Sequence, residues 1–254
     1  MRALRCLAAL VACAACGGED DEAVRVPVQV VVAEDPLGTA TTDLGYAVTV
    51  EQARVVVVDM AFTQGGEMHA SLTHPLSWLL GVAHAHPGHT AGGEPTGELP
   101  GRHVVRWPAG GALGEGVALV GRYDGADFGF GRAEAADGVM PDDPLFDHTA
   151  HLRGAAEKNG RRWTFQLILD QDDERRVVGA PMPLQVTEGA PPTIAFHLYL
   201  VDPIEGDTLF DGVDFAALDA DGDGDVTLSP GESASNRVRR GLQSHEHFGF
   251  SERK

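Results

Sequence analysis

The sequence predicts a mainly β protein: an antiparallel β-sandwich with a C-terminal acidic loop and a short helix. Short runs rich in β-branched and aromatic residues recur along the chain, set apart by Gly, Pro and Asp turns. They do not alternate with helical segments, as a parallel α/β sheet would require. No internal repeat points to a solenoid or a propeller.

The elements follow in order. Arg25 to Ala33 alternates in part and reads as a first strand. Tyr46–Val50 and Ala53–Phe62 read as strands, the second carrying four consecutive valines, Val55 to Val58. Gly65-Gly66 ends it. Leu76 to Leu80 reads as a helical turn stopped by Gly81. A long loop rich in Gly, Pro and His is expected over 81–101. His103–Trp107, Gly116–Val120 and Tyr123–Phe130 resume the strands. A polar loop over 134–147 leads to Thr149–Gly154, where His151 alternates with Arg153 and is expected to face solvent. Trp163–Leu169 and Thr193–Val201 are further strands. Asp214–Leu218 reads as a short helix entering an acidic loop. Ser233–Leu242 reads as a final helix, and residues 244–248 as a tail. The overall plan is that of the broad immunoglobulin-like group of secreted domains, a likeness of architecture that says nothing about function.

The N-terminus has the pattern of a sorting signal. Arg2 and Arg5 precede a short apolar run, Leu7 to Ala12, too short to span a bilayer. All three cysteines, Cys6, Cys13 and Cys16, fall in the first sixteen residues. Leu10-Val11-Ala12-Cys13 resembles the lipobox of bacterial lipoproteins, and Cys16 is the rival acceptor. That resemblance implies a signal peptide with an acylated cysteine over 1–16, a tether over 17–24, and a membrane-anchored location in the cell envelope. No aspartate directly follows either cysteine, which by likeness to lipoprotein sorting points to the outer membrane. Two regions are then expected: a sandwich over 25–205, and a calcium loop, helix and His-containing tail over 206–254.

Composition narrows the chemistry. A formal charge of -19 argues against nucleic acid and suits cation binding. Beyond residue 16 there is no cysteine, so thiolate metal sites and cysteine nucleophiles are excluded there. No Gly-x-Ser-x-Gly elbow, P-loop, dinucleotide fingerprint or His-Glu-x-x-His helix occurs, and no enzymatic role is expected.

Two motifs carry ion-binding chemistry. Asp219, Asp221, Asp223, Gly224 and Val226 occupy positions one, three, five, six and eight of a calcium-loop pattern. The stretch resembles the EF-hand family over about a dozen residues. That resemblance implies calcium held by Asp219, Asp221 and Asp223, with Asp225 ligating through its backbone carbonyl. Position twelve is Pro230 where a bidentate glutamate belongs, and Glu232, two residues late, is the expected further ligand through a rearranged loop. The second motif is histidine-rich. Of the eleven histidines, His84, His86 and His89 lie within six residues. His245 and His247 repeat the alternate spacing. Imidazoles without cysteine favour zinc or copper(II). The expected function is therefore an envelope lipoprotein that captures, buffers or delivers metal ions, in partnership with an envelope transporter or receptor. The alternatives are a structural or interaction lipoprotein without a transition-metal role and, behind it, a metal-dependent hydrolase.

Overall fold

The computed structural model of the chain describes residues 24–64, 94–172 and 175–253. Cys13, Cys16, most of the tether, the helical turn at 76–80, and His84, His86 and His89 lie outside them. The fold is mainly β, as predicted, with two short helices. Among the described residues twelve strands belong to one mixed sheet: two pairings, β1 with β10 and β8 with β11, are parallel and the others antiparallel.

The organising element is β3 (Ala47–Gln64), eighteen residues long. Its first half pairs with β2 (Thr39–Thr41) and β7 (Ala150–Lys158). Its second half pairs with β4 (Glu94–Trp107) and β6 (Gly121–Phe130). A bulge between Val58 and Met60 interrupts the ladder with β4, with Asp59 at a left-handed φ of 49°. From the second half the ladder runs through β4, β5 (Gly111–Leu119), β1 (Arg25–Val32), β10 (Thr193–Leu198) and β12 (Phe248–Glu252). On the other side it runs through β6 to β9 (Arg176–Val186). β12 comes back to lie against β9, so these strands curl around a shared interior. Aromatic side chains fill it. Phe128 lies 5.0 Å from Phe248 and 5.3 Å from Phe196, and Phe196 stacks on Phe250 at 4.5 Å. The Trp107 indole donates to the Phe196 carbonyl at 2.9 Å, which satisfies its buried N–H.

The first half of β3 continues through β7 and β8 (Arg161–Leu169) to β11 (Asp225–Leu228). Tyr46, Trp163, Phe165, Phe210 and Phe215 pack beneath this wing. All of them belong to the same core cluster as the aromatics between the curled strands. Residues 206–254 are therefore built into the fold: β11 extends the wing, and β12 puts Phe248 and Phe250 into the interior.

Three expectations are corrected. The histidine-rich loop does not run to residue 101, because β4 already begins at Glu94 and Glu98 is paired on both sides, with Ala61 and Val117. β9 is a strand that the sequence conceals behind Gly179, Pro181 and Pro183. Among the described pairings it is an edge strand bonded to β6 alone, where proline's missing donor is tolerated. His151 is 4% exposed rather than solvent-facing. The loop after β6 folds over this side of the sheet and packs Ala133, Val139 and Leu145 on Val56. Arg54, the ladder partner of His151, donates to both oxygens of Asp143 at 2.7 Å and to His151 Nδ1 at 2.7 Å. That network buries the imidazole.

Candidate metal centre

The acidic loop is positioned from below. α1 (Phe215–Leu218) buries Phe215 against Tyr46 at 5.3 Å. Asp214 caps α1, accepting from the Ala217 amide. The Tyr46 hydroxyl donates to Asp214 Oδ1 at 2.5 Å and accepts from the Ala216 amide at 3.1 Å. The start of β3 thus grips the helix that delivers Asp219. On the far side, β11 joins β8 in parallel and Val226 is buried. Gly222 and Gly224, at φ of 81° and 86°, provide the left-handed turns between them.

Three carboxylates converge here. Ligand oxygens of Asp219, Asp221 and Asp223 lie within 4.8 Å of one another. Calcium bonds oxygen at about 2.3–2.6 Å, so ligands across the ion stand up to about 5 Å apart, whereas magnesium draws them to about 4.2 Å or less. A span of no more than 4.8 Å admits either ion.

The three do not have equal standing. Asp221 and Asp223 are exposed and organise the loop: Asp221 Oδ1 accepts from the Asp223 amide at 3.4 Å, and Asp223 Oδ1 from the Asp225 amide at 2.8 Å. Asp219 is 8% exposed. Its Oδ2 accepts from the Trp163 indole at 2.9 Å and from Arg161 Nη2 at 2.5 Å, and its Oδ1 from the Gly224 amide at 3.2 Å. Burial works against its charge. The Gly224 amide, the Trp163 indole and the Arg161 guanidinium more than offset this and hold the carboxyl below its ordinary value. Arg161 also lies over the Trp163 ring at 4.9 Å. The loop therefore carries its own counter-cation.

The remaining predicted ligands are placed differently. The Asp225 carboxylate accepts from the Thr164 hydroxyl on β8. Glu232 is the residue before α2 (Ser233–Gly241), and its oxygens are not in the converging set. His245 and His247 lie in a 3-10 turn ahead of β12. His247 is 5% exposed, and its Nδ1 donates to the Tyr199 carbonyl at 2.9 Å. Burial, opposed by that bond and by nearby carboxylates, holds its pKa below the usual imidazole value. Among the described residues, neither group of three close metal-ligating side chains contains a histidine; the second group is Asp202, Glu205 and Glu246.

Sequence reasoning missed Tyr46, Arg161 and Trp163, which orient Asp219. Tyr46 immediately precedes β3 and the other two lie on β8, and no local spacing encodes their approach to residue 219. No known protein family, curated protein or solved structure matches this chain.

Proposed function

We propose that this chain is a calcium-binding β domain of the bacterial cell envelope, anchored through Cys13 or Cys16. The ion sits at Asp219, Asp221 and Asp223. One observation carries the proposal: three carboxylates at alternate positions bring their oxygens within 4.8 Å of one another on a loop fixed at both ends. Calcium needs six to eight oxygens, so backbone carbonyls and water complete the shell. With no glutamate at position twelve, affinity falls in the range of extracellular calcium modules, about 10⁻⁴–10⁻³ M. The role is structural: the ion ties α1 to β11. Capture or delivery of zinc or copper(II) by His84, His86 and His89 rests on the sequence pattern alone.

Calorimetric titration of the full-length chain with calcium, zinc and copper(II) tests both. Calcium binding is expected to lose its loop component in the Asp221→Ala/Asp223→Ala variant. A titration unchanged by that variant overturns the calcium proposal. Zinc or copper binding indifferent to alanine at His84, His86 and His89 overturns the histidine proposal.

The Arg161–Asp219 pair favours a second reading, a loop neutralised from within that serves the fold of a structural or interaction lipoprotein. Absence of calcium binding up to about 10 mM, far above the affinity of such modules, selects it.

A further inference from the structure

We infer that the cleft between the turn at Asp202–Asp207 and the 3-10 turn at His245–His247 is a second divalent-cation site, with the carboxylates of Asp202, Glu205 and Glu246 as its ligands. It is separate from the Asp219 loop and does not depend on it.

The ligands come from two distant parts of the chain. Oxygens of Asp202, Glu205 and Glu246 lie within 4.8 Å of one another. Three like charges at that spacing repel, although Glu205 is exposed and Glu246 half-buried, so solvent screens part of the repulsion. Asp202 gives the cluster its meaning. It is only 2% exposed. Its Oδ1 accepts from the Ile204 amide at 2.7 Å, while its buried Oδ2 has no hydrogen-bond partner. A buried carboxylate oxygen left bare is costly, and a cation coordinated there removes the cost together with the repulsion. The side chain is also held in place. The Asp202 amide donates to the Asp207 carbonyl at 2.8 Å, and the Gly206 amide to the Asp202 carbonyl at 3.0 Å.

The surroundings leave room for an ion and its water. The cleft has a volume of about 300 Å³. Asp202 and Glu246 line it, and its other charged or titratable lining groups are Asp207, Asp211, Arg237, Arg240 and His247. Asp211 is committed elsewhere, accepting from the Thr208 amide and hydroxyl at 2.8 Å each and from the Asp43 amide at 2.9 Å. Neither guanidinium bonds to Asp202 Oδ2. Glu246 is steadied by the Ser244 hydroxyl at 2.7 Å. An all-carboxylate set selects a hard divalent cation such as calcium. The ion would fasten the turn at 202–207 to the segment that leads into β12.

Calcium titration of the full-length chain, with ions bound per chain as the readout, tests the site. Wild type is expected to bind two. Asp202→Asn and Glu246→Gln each lose one and keep the loop ion. Asp221→Ala/Asp223→Ala loses the loop ion and keeps this one. Melting in chelator gives a second readout: Asp202→Asn melts no lower than wild type, since a buried unpaired charge is gone, and it gains less from added calcium. Wild-type stoichiometry and affinity in Asp202→Asn overturn the site. A wild type with one ion, lost in the loop variant and kept in Asp202→Asn, overturns this site and leaves the loop proposal standing. A wild type that binds no calcium overturns both.

Discussion

Asp219 and Asp202 are both buried aspartates in acidic clusters, and they are treated in opposite ways. Asp219 has a donor for each oxygen: the Gly224 amide on one, the Trp163 indole and Arg161 on the other. Asp202 has a donor for one oxygen and none for its buried partner. A recognisable calcium motif thus has its one buried carboxylate already partnered. The carboxylate with the greater need of a cation belongs to residues with no pattern at all. Ligand spacing in sequence reports which residues can converge; the donors that tertiary structure brings reveal whether a charge still lacks a partner.

That comparison is broken most severely at Trp163. Its ring packs on Tyr46 at 5.6 Å, and its N–H serves Asp219. Trp163→Ala is expected to destabilise the chain by about 3–5 kcal/mol, the usual loss for a large buried aromatic. Equilibrium urea unfolding measures it. A loss below about 1 kcal/mol would show that the loop is not seated on β8 as described.

Acid provides a smaller effect, and it separates the fold from ion binding. His151 has its pKa lowered, first by burial and then by the Arg54 charge, with Asp143 opposing and Arg153 adding. The unfolded chain takes up a proton near pH 6.5 that the folded chain refuses. Stability from this group is therefore full above about pH 6.5 and declines as the pH falls toward the lowered folded value. Asp143 behaves in the carboxylate sense. Hydrogen bonding from Arg54 holds it down, so its contribution persists above about pH 4 and is lost as acid reaches its lowered value. Unfolding curves between pH 7.5 and 5, in chelator, should show a decline that His151→Asn flattens. An identical decline in that variant would assign it to other groups.

The smallest effect sharpens the contrast best. Arg161 is 53% exposed, so its pair with Asp219 is weakly held against solvent. Arg161→Gln is expected to change calcium-free stability little. It should raise calcium affinity at the loop several-fold, by removing the competing cation, and leave the Asp202 cleft unchanged. Weaker calcium binding in this variant would mean that Arg161 organises the site rather than competing for it.

Much of the strand inventory is legible in the sequence, because β-branched runs such as Val55–Val58 and alternating runs such as Trp163–Leu169 have no good alternative to a half-buried sheet. Four strands escape it: β2 has only three residues, and the other three are missed for distinct reasons. β9 carries two prolines and a glycine, which read as a breaker until the strand is seen at an edge. β11 has only four residues and lies inside the acidic pattern. β12 resembles a polar tail because its partner, β10, is fifty residues away along the chain. The same limit applies to the sites. Asp219, Asp221 and Asp223 are neighbours by spacing, so a local pattern finds them. Asp202 and Glu246 meet only because β10 and β12 pair.

The sequence by itself determined a mainly β fold, a strongly acidic chain without cysteine beyond its first sixteen residues, and one run of alternate aspartates able to wrap a cation. Periodicity, charge and short-range spacing are local properties, and local properties survive in a string of letters. Only the tertiary structure decided that the C-terminal segment completes the sheet, that Arg161 and Trp163 close over Asp219, and that Asp202 is buried with one oxygen bare. Those outcomes depend on which distant strands become neighbours. That is set by how one shared core packs, and no single segment encodes it.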